Sequence, residues 1–265
     1  SGSAIEILPG GAATLAGTAV LTNGQLNYSL GSSTDISAVN ASSRIVARIA
    51  ADDDITDDAE LRGSLSVAGN AITASASGNR ALGEAPGQAG NRILLADGAS
   101  FTGRPDTSDH GAGTAYTSGI LLSDVNADLV INNSQANLSA NNLDRLLISA
   151  SAQDSLISAN VDNLAGGTVS VANNEISGTA TGNAASSALA GGQDMASFQG
   201  SAAVANQQVN FFSNASAEAM GIIGAGVSHD SNELSGSTVS VDRNRVGATA
   251  YGNSVNQSLA LDAVT

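Results

Sequence analysis

One phrase of seventeen residues occurs three times, and it limits what this chain can fold into more than any other feature. It reads GTVSVANNEISGTATGN from Gly167 to Asn183, GSLSVAGNAITASASGN from Gly63 to Asn79, and STVSVDRNRVGATAYGN from Ser237 to Asn253. In each copy two apolar residues alternate with polar ones, as Val169 and Val171 do, and an Asn follows three positions after the second. A β-branched residue comes two positions later, and small and polar residues then alternate up to a closing Gly-Asn. Alternation with period two places successive side chains on opposite faces of an extended strand.

The spacing of the copies sets the expected architecture. From Val171 to Val241 is 70 residues and from Val67 to Val171 is 104. Both are near-multiples of about 35, within the range of known repeat units. Weaker copies keep the offsets of five, seven and nine residues: Leu21, Leu26, Tyr28 and Leu30; Ile131, Ala136, Leu138 and Ala140; and Val204, Val209, Phe211 and Ser213. No copy is legible from Ala81 to Gly119, which reads as an insertion. The expectation is an all-β chain forming a single domain over residues 1–265, a β-solenoid of about seven coils with a repeat of about 35 residues and one loop insertion at 81–119.

Composition supports a thin core. Aromatic residues are 3% of the chain, Trp is absent, and Ala makes up much of the apolar fraction. Val, Ile, Leu and Ala suit a narrow interior, while Gly and Asn tolerate positive φ at tight corners. The three prolines, Pro9, Pro86 and Pro105, avoid the repeat copies, as expected if those copies donate their amides to ladders. Regular placement of Val and Ile argues against a wholly disordered low-complexity chain. Net charge is −15 and Lys is absent, so the basic stripe that nucleic acid requires is missing. No stretch approaches the ~20 apolar residues of a membrane helix. A solenoid held by continuous ladders can dispense with disulfides, and the chain has no Cys. The segment SGSAIEILPGG has neither a charged nor an apolar leader region, and a start at Ser1 leads us to expect that a leader has been removed and the protein is extracellular.

Few side chains suggest chemistry. The run from Asp52 to Glu60 carries six carboxylates, and Asp52, Asp54, Asp57 and Asp58 form a candidate Ca²⁺ site. The spacing does not fit an EF-hand, because Asp57 stands where Gly is needed and Gly63 where Glu is needed, so a solvated acidic loop is the competing reading and no cofactor is required. Asp109–His110 and the SHDSNE run from Ser228 lack a nucleophile motif. Asn132, Asn133, Asn137, Asn141 and Asn142 suggest amides stacked in ladders at solenoid corners. The apolar ends offer strands to other chains: residues 1–11 with Ile5, Ile7 and Leu8, and the last strand with Leu259, Leu261 and Val264. These six are the candidate self-association residues, since an uncapped solenoid end recruits another edge.

The pattern SVxxNxIxxxAxGN, followed by Leu189 in the central copy and Leu259 in the last, resembles the repeats of bacterial surface β-strand-repeat proteins, in particular alphaproteobacterial holdfast-anchor proteins. The resemblance implies a secreted structural protein at the cell surface, with no catalytic residue to carry over. The leading expectation is a self-associating subunit of an extracellular filament or adhesive layer, whose partner is another copy of itself. A monomeric anchor or module that binds cell-surface polysaccharide or envelope anchor proteins is the alternative, although aromatic platforms are scarce. A polysaccharide-active β-helix enzyme is third, and the Ser, Thr and Asn at outward positions are poor proton-transfer groups for it.

Overall fold

The computed structural model describes residues 4–7, 14–30, 34–49, 63–83, 88–103, 116–117, 120–121, 127–141, 143, 145–162, 164, 166–192, 195–228 and 236–261. These residues are all-β, with no helix among them, and the sheets are parallel except for one small hairpin.

The chain visits the same sheets in the same order. Strands β1 (Ala4–Ile7) and β2 (Thr14–Ala16) come first. A first pass follows through β3 (Ala19–Ser29), β4 (Thr34–Ala41), β5 (Arg44–Ile49), β6 (Ser64–Ala68), β7 (Ala71–Ala81), β8 (Asn91–Leu95) and β9 (Ser100–Thr102). The antiparallel pair β10 (Tyr116–Thr117) and β11 (Ile120–Leu121) leads to a second pass. That pass comprises β12 (Leu129–Ser139), β13 (Leu146–Asp162), β14 (Thr168–Ala172), β15 (Glu175–Ala190) and β16 (Ser197–Gln199). The third comprises β17 (Ala202–Phe211), β18 (Ser213–Ser228), β19 (Thr238–Asp242) and β20 (Arg245–Ala260). The second pass lies in the middle of four sheets: β12 pairs with β3 and β17, β13 with β4, β5 and β18, β14 with β6 and β19, and β15 with β7, β8 and β20; in the small fifth sheet β9 lies between β2 and β16.

The repeat copies align residue for residue. Val67, Val171 and Val241 form one column, and Ile72, Ile176 and Val246 another. The weaker copies align likewise, Leu21 with Ile131 and Val204, and Tyr28 with Leu138 and Phe211. The period requires correction. Strong copies pair with strong ones and weak with weak, at separations such as 104, 70, 110 and 73 residues, so among the described strands no repeat copies pair at about 35. Each pass contains one copy of each kind, in different sheets, and the shorter spacing separates facing sheets. The expected insertion also shrinks, because β8 and β9 lie within 81–119 and pair in register with β15 and β16.

Corners repeat as well. Gly69, Asn173 and Arg243, between the two strands of each strong copy, all have positive φ. Local backbone shape is thus kept even where the residue is not glycine.

Two apolar cores lie inside. One gathers Ile72, Ile148, Ile157, Val169, Val171 and Ile176; the other gathers Leu21, Ile93, Phe101, Ile131, Leu189 and Met195. Ile176 is fully buried at the centre of the first, whereas Ile222 on β18 is 68% exposed. Urea unfolding should therefore show Ile176→Ala losing about 2–5 kcal/mol and Ile222→Ala less than about 0.5 kcal/mol. Similar losses for both would mean that the first core is not where the stability resides.

Candidate functional site

Between the cores the interior is polar. The strands of the β3–β12–β17 sheet turn Asn and Gln toward the Gly-Asn ends of the strong copies in β7, β15 and β20. Asn27, Asn137 and Asn210 form one column, and Asn79, Asn183 and Asn253 the facing one. The two columns are cross-linked: Asn79 Nδ2 donates to Asn137 Oδ1 (3.1 Å) and Asn183 Oδ1 (2.8 Å), and Asn137 Nδ2 donates to Asn183 Oδ1 (2.9 Å). Asn183 Nδ2 in turn donates to Asn210 Oδ1 (3.0 Å) and Asn253 Oδ1 (2.8 Å). A glutamine column runs beside them, with Gln208 Nε2 donating to Gln135 Oε1 and Gln135 Nε2 to Gln25 Oε1, both at 2.7 Å. A further amide chain links Asn23, Asn133 and Asn206 of one sheet with Asn91 of the facing one.

Carboxamides suit this place because each carries donors and an acceptor, so one residue type can pass a hydrogen bond from strand to strand indefinitely. The glycine before each Asn of the Asn79, Asn183 and Asn253 column lets the backbones approach. A Cβ on Gly182 would lie 2.2 Å from Gly252 O, and one on Gly78 2.5 Å from Gly182 O. A corner amide ladder exists but at other residues than expected: Asn70, Asn174 and Asn244 are joined by Oδ1···Nδ2 bonds of 3.0 Å, whereas Asn132, Asn133 and Asn137 lie inside β12 and Asn142 lies outside the described residues. The larger belt lies in strand interiors, where Asn133 and Asn137 participate. Its glutamines and Asn23 were missed, although their matching offsets within the weak copies were a readable signal.

The belt and both cores end abruptly at the third pass, whose main strands β17 to β20 have, among the described residues, a neighbour on one side only. Val169, Val171, Ile176 and Leu189 of the second pass are fully buried, whereas their column mates Val239, Val241, Val246 and Leu259 are 46%, 51%, 44% and 50% exposed. These are core residues without a cover. The opposite face, formed by β3, β4, β5, β6 and β7, likewise has unpaired strand edges.

Of the candidate self-association residues, Ile5 pairs with Ile93 and packs on the second core, and Ile7 is in register with Leu95. Leu259 lies on the β20 edge strand, and Leu261 packs on the second core just beyond it. Leu8 and Val264 lie outside the described residues, as do Asp52, Asp54, Asp57, Asp58, Asp109 and His110. Among the described residues no group of three or more His, Asp or Glu side chains could hold a metal ion. The buried carboxylate of Asp128 accepts hydrogen bonds from the Ser201 amide (2.8 Å) and hydroxyl (2.9 Å), a strand-joining role. No described helix is long and apolar enough to cross a membrane. The chain matches no protein-family description, no curated protein and no solved structure.

Proposed function

We propose that the three passes are coils of a β-solenoid, three rather than about seven, and that the protein is a structural subunit that associates end to end into an extracellular filament or adhesive surface layer. The half-exposed core residues of the third pass carry this reading. Stable monomers rarely leave interior columns open to water, and an uncapped parallel edge invites a further strand. An interior made of strand-to-strand amide bonds offers nothing for proton transfer or group transfer but much for repetition. The acidic, cysteine-free composition and the resemblance of the repeats to bacterial surface proteins support a location outside the cell.

Negative-stain electron microscopy over a concentration series tests the proposal. Filaments of uniform width, appearing above a threshold concentration, are the expected result. Single particles at every concentration, with sedimentation showing a monomer, would defeat it and favour a monomeric polysaccharide-binding anchor.

A further inference from the structure

We propose, resting on the filament reading, that copies stack head to tail in one register: the third-pass face of one copy continues into the first-pass face of the next as if the chain were unbroken. The internal registers specify each contact. Leu259 and Ile93 both pair with Leu189, so Ile93 of the next copy falls on Leu259, and the short β1, which pairs with β8 in the layer that β20 then takes, must leave that layer in the stack. By the same rule Val241 meets Val67, Asn253 meets Asn79, and Gln208 meets Gln25 of the next copy. Apolar columns thus remain apolar, and amide columns remain amide.

Three independent features favour this register over other edge pairings. The first is an unused acceptor. Each glutamine of the column donates Nε2 to the Oε1 of the pass before it, so the acceptor left over at the end is Gln208 Oε1. That oxygen is buried and accepts no hydrogen bond from the described residues. Gln25 Nε2 of the next copy would supply the missing donor, a bond whose absence is costly for a buried acceptor. The second is steric. The glycine column needs no side chain wherever another pass lies above it, and Gly252, the last of the column, meets only Asn210 Nδ2 at 3.5 Å. Its glycine serves no contact within the chain, but in the stack it would face the carbonyl of Gly78 of the next copy. The third is charge. In this register Glu218 falls under Val39, Asp242 under Ala68 and Arg245 under Ala71 of the next copy, so no like charges are opposed at these positions.

Gly252→Ala is the discriminating variant, because its methyl is accommodated in the free chain and excluded from the stack. It should retain the circular dichroism spectrum and melting temperature of the parent and raise the assembly threshold at least ~10-fold, the change expected for each 1.4 kcal/mol lost. A second variant reads the register directly. Ser75 and Thr249 both pair with Thr179, so Thr249 and Ser75 of the next copy would be neighbours at about 4.8 Å, within disulfide reach. Within one chain they are separated by the intervening strand and cannot join. The parent has no Cys. Oxidised filaments of Ser75→Cys/Thr249→Cys should run as a ladder of covalent multimers on non-reducing gels, with either single variant remaining monomeric. If the parent forms filaments but Gly252→Ala assembles at the same threshold, or a single cysteine variant yields dimers, the register is wrong and the filament reading survives. If the parent forms no filaments, that reading fails, and the register with it.

Discussion

Asn183→Asp is expected to destabilise the fold by about 4 kcal/mol or more at neutral pH, which chemical denaturation would measure, because it buries a charge with no cation beside it. The two side chains have the same shape, so packing is unchanged and only hydrogen-bonding character differs. Asn183 is fully buried at the centre of the belt, accepting from Asn79 and Asn137 and donating to Asn210 and Asn253. A carboxylate can accept from the first two but has nothing to donate, and its oxygen would then face the Oδ1 atoms of Asn210 and Asn253. Burial raises the folded-state pKa of such a carboxyl above its unfolded value. The penalty is therefore complete above the raised pKa and shrinks as pH falls, since the protonated acid regains a donor. The stability gap between variant and parent should narrow on acidification. Asn253→Asp, on the exposed last pass, should cost less than about 1 kcal/mol. Equal costs at the two positions, or a gap independent of pH, would show that the belt is not a buried network.

How much of this was legible in the sequence depends on which residues carried the signal. Period-two alternation around Val169, Val171 and Ile176 identified the strands, and the shared offsets of Leu21, Ile131 and Val204 identified partners that do pair. Partner choice was less accessible. A copy 35 residues away looks like a neighbour whether it lies in the adjacent strand or the facing sheet, and the strands between the two copies of a pass, such as the long β13, pair with their own counterparts β4, β5 and β18. The stretch holding β8 and β9 was read as an insertion because five and three residues are too few to display a period. The belt was half visible. Asn133 and Asn137 drew notice as an Asn-rich run, while Gln25, Gln135 and Gln208 did not, although each stands four residues after the first apolar residue of its weak copy.

The belt also explains why the interior is not simply apolar. Hydrophobic columns stabilise stacking but tolerate a slip of two residues, since Val over Ile is as good as Val over Val. An amide column discriminates against such a slip, because a shift of two residues would set Asn210 opposite Gln135 or Ser139 instead of Asn137 and break the matched Asn-to-Asn and Gln-to-Gln bonds. Register is thus specified by the polar waist and adhesion by the two apolar cores on either side. A stacked filament would inherit both properties.

Gly182→Val should be the most damaging single substitution in the belt, exceeding about 4 kcal/mol, with Gly182→Ala already costing about 2–3 kcal/mol, the range of overpacked cores. A Cβ at this position would lie 2.2 Å from Gly252 O, 2.9 Å from Asn210 Nδ2 and 3.0 Å from Asn210 Oδ1. The first contact is with backbone, which cannot rotate away. Relief requires widening the spacing between β15 and β20, which breaks the ladder of Asn183 to Asn253 on the adjacent residue. The steric and the polar losses are therefore coupled, and a double variant carrying Gly182→Ala and Asn183→Leu should lose less than the sum of the two singles. Gly24→Ala provides the contrast within the same molecule. Its Cβ would meet nothing within 4 Å on the outer face of β3, so the gain in strand rigidity should leave stability unchanged or raise it by about 0.5 kcal/mol. Equilibrium denaturation of these five variants, the single Asn183→Leu included, would separate the two kinds of glycine, and a Gly182→Val protein as stable as its parent would refute the close approach of β15 and β20 on which the belt depends.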